Sequence, residues 1–211
     1  MLPRLVLASA SPARLATLRA AGIDPVVRVS DVDERAVTAA AAVSAASDIA
    51  KLLARAKAEA VAAAEGLPPA ALVVGCDSVL EINGRAFGKP ADAAEAIDRW
   101  QRMSGRRGTL HTGHHVVDVE SGRAVSGLAS TIVHFAEVND EEIEAYVATG
   151  EPLHVAGAFT IDGLGGPFID GIEGDPHNVV GISLPLVRGL LNELGYRFID
   201  LWSKCTVGGR S

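Results

Sequence analysis

The sequence predicts an α/β protein in which a mixed, twisted sheet is flanked by helices. Hydrophobic residues make up 48% of the 211-residue chain but aromatic residues only 4%, so the core must form from many small aliphatic contacts. Segments typical of buried strands alternate with segments of helical spacing. No repeat or linker divides the chain, and we predict one domain over residues 1–200 and a C-terminal tail over residues 201–211.

The N-terminal segment predicts a strand, a serine-rich turn and a helix. Residues 5–8 are a short apolar run, which is typical of a buried strand. Pro12 suits the first turn of a helix, because its φ is already fixed there and its missing N–H is not needed. Leu15 and Leu18 continue at helical spacing, and Gly22 supplies a stop.

The other elements are predicted from periodicity and from turn residues between periodic segments. In order, we expect a strand at 25–29, an alanine-rich helix within 36–46, a helix at 49–64, a strand at 71–80, a hairpin return at 85–87, a helix at 91–103, strands at 109–119 and 123–136, a helix at 140–148 capped by Asn139, a structured loop region at 156–174, a helical segment at 179–194 and a loose tail at 205–211.

Charge and apolar runs restrict the class of protein. The formal net charge is -7, which argues against a nucleic-acid polymer as partner, because phosphate neutralisation needs a basic face. A small anionic substrate stays compatible, since a few cations and a bound metal can reverse the sign locally. The N-terminal apolar run is too short for a signal peptide, and no run approaches a membrane span of about 20 residues. We therefore expect a cytoplasmic protein without a membrane partner.

Neither the cysteines nor the histidines predict a metal site. Cys76 and Cys205 lie far apart and suggest no disulfide framework. His111, His114 and His115 fall in a predicted strand, and their spacing matches no metal site. We expect these histidines to be structural or exposed.

The turn between the first strand and helix collects groups that suit an anion. Ser9 and Ser11 supply hydroxyls, and the helix N-terminus supplies unpaired N–H groups. Arg14 adds a guanidinium that can hold a phosphate through two bonds. The alternative is that Ser11 only caps the helix and Arg14 is solvated. The segment alone leaves both interpretations open.

Asp77 stands inside an otherwise apolar strand over residues 71–80. A carboxylate there is costly unless it has a partner or a metal. Such carboxylates recur as catalytic bases and as Mg²⁺ ligands. The alternative is a carboxylate at a strand break that binds nearby backbone N–H groups, and the strand alone does not decide between them.

Three further charged residues are weaker candidates. Lys89 lies between a glycine and a proline after the hairpin, where the chain returns towards the level of Asp77. Lys57 on a helix and Glu34 in an acidic segment are of types that usually only face solvent.

The order of the motifs is more specific than any one of them. The motifs are LASASPAR, VDE, LARAKA, GCDSV, GKP, SGR, AGAF and NVVG. In this order and spacing the chain resembles the Maf family of nucleoside triphosphate pyrophosphatases over about residues 4–194. The resemblance implies a fold related to inosine triphosphate pyrophosphatases, with two lobes around a deep central cleft. It also implies hydrolysis of a nucleoside triphosphate to the monophosphate and pyrophosphate with Mg²⁺ or Mn²⁺, and it suggests a homodimer.

The resemblance also implies roles for the candidate residues. Ser9 and Arg14 would bind the phosphates, and Lys57 and Lys89 would neutralise the triphosphate. Glu34 and Asp77 would lie near the metal and water, with Asp77 as general base. These roles suit a reaction in which a highly charged group leaves and an aligned water attacks.

Three positions depart from the family's specificity patterns. Where the branch that prefers thymidine and uridine nucleotides has Arg, Thr and Gln, this chain has Ala13, Ser78 and Asp162. The branch that prefers 7-methylguanosine triphosphate shares only the acidic character near Asp162. If Asp162 faces the base, it favours donors such as the amino and imino groups of guanine. If it is only a turn residue, it selects nothing, and the substrate stays open, including modified and non-canonical nucleotides.

Two other functions compete with pyrophosphate release. A phosphatase would release orthophosphate, but no aspartyl-phosphate motif of the DxD type follows the first predicted strand near the N-terminus. A nucleotide-binding regulator of septum formation or cell division, a role associated with the family, would use the cleft without turnover. Asp77, Lys57 and Lys89 favour turnover.

Overall fold

The centre of the protein is a seven-stranded mixed sheet. The computed structural model describes residues 3–203. The strands are β1 (Arg4–Leu7), β2 (Val26–Val27), β3 (Ala71–Ile82), β4 (Arg85–Phe87), β5 (Arg107–Asp118), β6 (Ala124–Phe135) and β7 (Ile169–Glu173). Their order is β2-β1-β3-β5-β6-β7, and β4 pairs with β3 outside this path. The β2, β1 and β3 strands are parallel neighbours, and the other pairs are antiparallel.

Seven helices surround this sheet within the described residues. They are α1 (Pro12–Ala20), α2 (Glu34–Ala41), α3 (Ala46–Ala62), α4 (Ala93–Met103), α5 (Asp140–Ala148), α6 (Pro176–Val180) and α7 (Leu184–Leu194). Short 3₁₀ turns lie at Glu151–His154, Ala156–Ala158, Gly166–Phe168 and Phe198–Leu201. Across residues 3–203, no helix is both long and apolar enough to cross a membrane.

Most predicted elements are confirmed, because their start and stop signals are local. Ser11 caps α1 with Pro12 at its start. Asn139 forms a capping box with Glu142 at the start of α5. The turn at Asn83 and Gly84 joins β3 to β4 with positive φ at both residues, as a two-residue hairpin requires.

The differences concern segments with weak periodicity. The alanine-rich helix begins earlier, at Glu34, and ends at Ala41. The region predicted as a loop at 156–174 contains β7, which pairs with the end of β6. Its sequence, IDGIE, hides the strand because it carries two acidic residues and a glycine in five positions. The closing helical segment is two helices separated at residues 181–183, and the predicted tail at 205–211 lies outside the described residues.

Two glycines let α3 lie unusually close to the sheet. A Cβ on Gly75 of β3 would come within 2.3 Å of the Ala54 carbonyl oxygen, and one on Gly113 of β5 within 2.2 Å of the Ala50 carbonyl oxygen. No side chain fits either gap, so the α3 backbone packs directly on the strands. The face of β3 that carries its odd-numbered residues is therefore covered by α3.

The opposite face of the sheet carries two separate hydrophobic clusters. One cluster contains Leu72, Val74 and Cys76 of β3. The other contains Leu80 and Ile82. Ser78 lies between them in the strand, so a polar position separates two cores on one face. The two lobes implied by the family resemblance stay a prediction.

A substitution tests the close contact between α3 and the sheet. We expect Gly113→Ala to destabilise the protein by about 1–3 kcal/mol or more, since the added methyl meets backbone rather than a movable side chain. Thermal or urea unfolding measures this change. Gly189→Ala is the control, because nothing lies within 4 Å of its Cβ position in α7 and alanine favours a helix by up to about 1 kcal/mol. Equal stability of the Gly113 variant and wild type would contradict the packing argument.

The buried His114 predicts how stability depends on pH. Burial lowers the pKa of His114 to about 4 from its ordinary 6.5. In the neutral ring Nδ1 donates to the Thr112 carbonyl and Nε2 accepts from the Ser183 N–H. As pH falls from 6.5 to 4, the unfolded chain binds a proton that the folded chain does not.

We therefore expect His114 to lower the free energy of unfolding by about 3 kcal/mol over this range, from 1.36 kcal/mol per unit of pKa shift. More than about one unit above pH 6.5 this contribution no longer changes with pH. Urea unfolding of wild type and His114→Gln from pH 7.5 to 4 measures it. The stability difference between the two proteins should shrink as pH falls, and parallel curves would show that His114 is not the cause.

Candidate active site

The candidate site lies where one edge of β3 has no strand partner. Along that edge β1 pairs with Ala71–Val74 and β4 pairs with Leu80–Ile82, while β5 occupies the whole other edge. Residues 75–79 therefore face a gap between β1 and β4. The Cys76 carbonyl in this gap accepts a hydrogen bond from Arg14 Nη1 at 2.8 Å. At these residues this edge of β3 has no strand pairing, although most of them are buried.

Asp77 lies in this gap and forms one line of charges with Lys57 and Glu34. Asp77 is only 8% exposed. Lys57 Nζ lies 2.5 Å from Asp77 Oδ1 and 2.7 Å from Glu34 Oε1. The prediction that Asp77 needs a partner is confirmed, and the partner is a lysine rather than backbone N–H groups at a strand break. Lys57 and Glu34, which looked solvated in isolation, belong to the same cluster.

The fold explains how these groups meet. Asp77 is an odd-numbered position of β3 and points to the face covered by α3, where Lys57 lies in the same helical turn as Ala54 and Ala58, the residues that contact Gly75. Glu34 is the first residue of α2, which Asp33 caps. Close packing of α3 thus decides that Lys57 reaches Asp77.

The surroundings of Asp77 hold its proton affinity high. Burial raises the pKa of Asp77 above its ordinary value, and the charges of Lys57 and Arg14 oppose this rise. A carboxylate with raised basicity beside a cation can accept a proton from a bound water.

Arg14 approaches the same gap from the other face of the sheet. Its Nε donates to the Gly181 carbonyl at 2.7 Å, its Nη1 donates to Ser9 Oγ and to the Cys76 carbonyl, and its Nη2 donates to Ser78 Oγ at 3.1 Å. The alternative that Arg14 is only solvated is wrong, because the residue is 9% exposed. Most of its five donors are used by the protein. Arg14 therefore ties the first turn, the open edge of β3 and the end of α6 together.

The hydroxyls near Arg14 belong to one hydrogen-bonded network. Ser9 Oγ also accepts from the Ser11 N–H at 3.2 Å. Ser78 Oγ lies 2.9 Å from Thr112 Oγ1, and Thr112 Oγ1 donates to the Asn178 carbonyl at 3.4 Å. Thr112 and Asn178 were not singled out in the sequence, because each lies in a pattern that looks like an ordinary strand or helix.

Ser11 and Ala13 occupy the turn as expected. Ser11 Oγ accepts from the Arg14 N–H at the start of α1, so its capping role is confirmed. Ala13 is partly exposed in the first turn of α1. No contact within residues 3–203 assigns Ala13 a binding role.

Lys89 is exposed just beyond β4. Because Leu80 pairs with Phe87, continuation of the antiparallel register would place Lys89 opposite Ser78, at the level of the gap. No hydrogen bond or ion pair of Lys89 is present within residues 3–203. The prediction that the hairpin returns Lys89 towards Asp77 is consistent with this register.

Asp162 is exposed in the loop that follows Phe159. The loop is held by Glu151, whose carboxylate accepts from Thr160 Oγ1 and from the N–H groups of Leu164 and Gly165. Among the described residues, no contact joins Asp162 to the Asp77 cluster. Glu151 was missed in the sequence, because an acidic residue in a loop gives no local signal of such a role.

The SGR segment borders a separate cavity. The cavity has a volume of about 700 Å³ and is lined by Arg106, Arg107, His134 and Glu137 with their neighbours. None of the predicted site residues lines it. We assign the candidate site to the gap at β3, because Asp77, Lys57 and Arg14 meet there.

Comparisons with known proteins show the family of this chain. The family described as Maf-like protein matches residues 4–194. A protein of Salinispora tropica named nucleoside triphosphate pyrophosphatase is 61% identical over 207 residues, covering 96% of this chain and 89% of that protein. Proteins of the same name from Streptomyces coelicolor and Nostoc punctiforme are 60% and 50% identical, each over 95% of this chain and over 95% and 98% of their own lengths.

One solved structure also matches in part. It is a nucleoside-triphosphatase / dITP/XTP pyrophosphatase from Mycobacterium abscessus, with 17% identity, a TM-score of 0.37, and coverage of 64% of this chain and 75% of that one. The family match and the full-length relatives establish the class. The chain belongs to the Maf-like protein family.

Proposed function

We propose that this chain is a nucleoside triphosphate pyrophosphatase that hydrolyses a ribo- or deoxyribonucleoside triphosphate, including modified or non-canonical ones, to the monophosphate and pyrophosphate. Membership of the Maf-like family and the names of the relatives support the reaction type. The observation that carries the proposal is the buried Asp77 held by Lys57 at an open strand edge. This arrangement places a base and a cation side by side, as attack of water on a phosphate chain requires.

The charged residues divide the work of binding and reaction. Lys57 and Lys89 neutralise the triphosphate, whose charge would otherwise be unfavourable beside Asp77. Ser9 binds phosphate oxygens with the free backbone groups of its turn. Arg14 contributes its remaining N–H donor and, above all, fixes the positions of Ser9 and Ser78.

In the reaction, Asp77 accepts one proton from a water while the water oxygen bonds to the α-phosphorus. The bond between the α-phosphorus and the bridging oxygen of the β-phosphate breaks, and pyrophosphate leaves with the bonding electron pair. The proton then passes from Asp77 to solvent, so the carboxylate is restored. One water is consumed for each monophosphate and pyrophosphate formed.

Glu34 and Asp77 fit the divalent cation, Mg²⁺ or Mn²⁺, that the family resemblance implies. Lys57 contacts one oxygen of each carboxylate, and within residues 3–203 no hydrogen bond is made to the other oxygen of either. No group of three or more His, Cys, Asp or Glu side chains in that range could hold a metal alone. Two carboxylates completed by substrate phosphates are a common arrangement for Mg²⁺. When bound, the cation withdraws charge from the phosphates.

Release of orthophosphate and binding without turnover are less well supported. A regulator that only binds nucleotide has no need of a buried base beside a lysine. None of the relatives named above carries a name that refers to cell division. The homodimer and the cytoplasmic location stay predictions from family resemblance and from sequence.

Replacement of Asp77 tests the assigned base. Asp77→Asn keeps the shape but removes basicity and charge, so we expect pyrophosphate release to fall by at least ~10²-fold. Detection of pyrophosphate and orthophosphate in separate assays, with Mg²⁺ and with Mn²⁺, identifies the leaving group. Asp48→Asn is the matched control, since Asp48 pairs only with the exposed Lys51 on α3. An Asp77 variant as active as wild type would refute the assignment of the base, and orthophosphate as the first product would refute the reaction.

A substrate comparison tests the role of Asp162. If the carboxylate faces the base, guanine nucleotides should exceed UTP and dTTP in kcat/KM, and Asp162→Asn should reduce this preference by about ten-fold, the value of one hydrogen bond to a charged group. Hydrolysis of all common and methylated triphosphates measures it. Clear preference for UTP or dTTP, or an unchanged preference in the variant, would assign Asp162 to the turn alone.

A further inference from the structure

Arg99 on α4 is a buried cation outside the catalytic set. It is 2% exposed. Its Nη2 lies 2.6 Å from Glu95 Oε1, and its Nη1 donates to the Gly88 carbonyl at 2.5 Å. The guanidinium carbon also lies 5.2 Å from the ring centre of Phe87. Three contacts thus hold the guanidinium against the segment that ends at Lys89.

The Gly88 carbonyl is the point that fixes this segment. It accepts a second hydrogen bond from the Gly157 N–H at 3.0 Å. Pairing with β3 ends at Phe87, so no ladder bond holds Gly88 or Lys89. The position of the Lys89 backbone therefore depends on the two donors that meet at the preceding carbonyl.

Stability alone explains Arg99 poorly. Burial of a guanidinium costs solvation free energy that a single ion pair rarely restores. Its carboxylate partner, Glu95, has a side chain that is 45% exposed, and Arg99 Nε is buried without a hydrogen-bond partner among the described residues. An apolar side chain of similar length would fill the same space without this cost. What the guanidinium adds is a hydrogen bond that fixes the position of the Gly88 carbonyl.

We propose that Arg99 is a positioning residue, which fixes the Gly88 carbonyl and so holds Lys89 at the open edge of β3 to bind the polyphosphate of the substrate. This inference rests on the polyphosphate-binding role proposed above for Lys89. Arg99 itself touches no substrate. Its effect passes through the backbone of Gly88 to the neighbouring lysine.

A double-mutant cycle separates positioning from a merely structural role. Inorganic tripolyphosphate with Mg²⁺ is the probe, and calorimetry measures its Kd for wild type, Arg99→Met, Lys89→Ala and the double variant. We expect each single variant to bind about ten-fold more weakly, the value of one hydrogen bond to a charged group. The double variant should bind no more weakly than Lys89→Ala, because Arg99 has nothing to position once the lysine is absent.

Two controls accompany the cycle. Arg102→Met removes an arginine of the same helix that pairs with Asp98 on the surface, and it should bind tripolyphosphate as wild type does. Arg99→Lys keeps the charge but cannot bridge Glu95 and Gly88. The same double-mutant cycle is measured with Arg99→Lys in place of Arg99→Met, so the test does not depend on whether the Met variant folds. Amide hydrogen exchange over residues 85–89 should be faster in the Arg99 variants and unchanged in Arg102→Met.

The outcomes are distinct. Additive losses in the cycle, or an Arg99 variant that binds as tightly as wild type, overturn the positioning role. A wild type that does not bind tripolyphosphate overturns it as well, since Lys89 then has no such ligand. If the double variant binds no more weakly than Lys89→Ala in a protein that releases no pyrophosphate from any triphosphate, that result supports the positioning role and refutes the proposed function.

Discussion

The close approach of α3 to the sheet is the constraint on which the candidate site depends. Gly75 and Gly113 leave space that only backbone can fill, so the helix axis lies nearer the strands than side-chain packing would allow. This contact sets the distance between Lys57 and Asp77. A buried carboxylate needs a partner at hydrogen-bond distance, so the position of the helix that carries Lys57 matters for the ion pair with Asp77.

The second consequence of the fold is the gap along β3. Two short strands, β1 and β4, occupy the two ends of one edge and leave residues 75–79 between them. Lys57 reaches this gap from one face and Arg14 from the other. The hydrophobic clusters on the Arg14 face divide at Ser78, so the polar groups lie between two cores rather than within one. The arrangement brings the charged groups of both faces to one unpaired stretch of β3.

The more exposed candidates lie on segments that other residues hold in place. Lys89 follows a carbonyl bound by Arg99 and Gly157. Asp162 lies in a loop bound by Glu151. In both segments, a buried or partly buried charged side chain holds backbone that forms no strand-to-strand hydrogen bonds. The precision of a site built on loops depends on such supports.

Local signals in the sequence determined most of the elements and pointed to part of the candidate site. Pro12, Ser11 and Asn139 mark helix starts through bonds within one turn, and Asp77 stands out because a charge in an apolar strand demands a partner. The order of short motifs identified the family, although neither periodicity nor charge alone would have done so. Strand β7 was not predicted, because its five residues show no alternation of apolar and polar side chains. Its pairing is with the end of β6, which is distant in the sequence.

Only the tertiary structure showed which residues pair with the candidate site residues or hold their segments in place. The partner of Asp77 is 20 residues away in the chain, and the bond of Arg14 to the Gly181 carbonyl spans 167 residues. Arg99 and Glu151 look like ordinary surface charges on a helix and in a loop, since the carbonyl and N–H groups they bind come from other segments. Sequence patterns report interactions within a few residues, whereas the support of a site arises from contacts that exist only after the sheet has brought distant segments together.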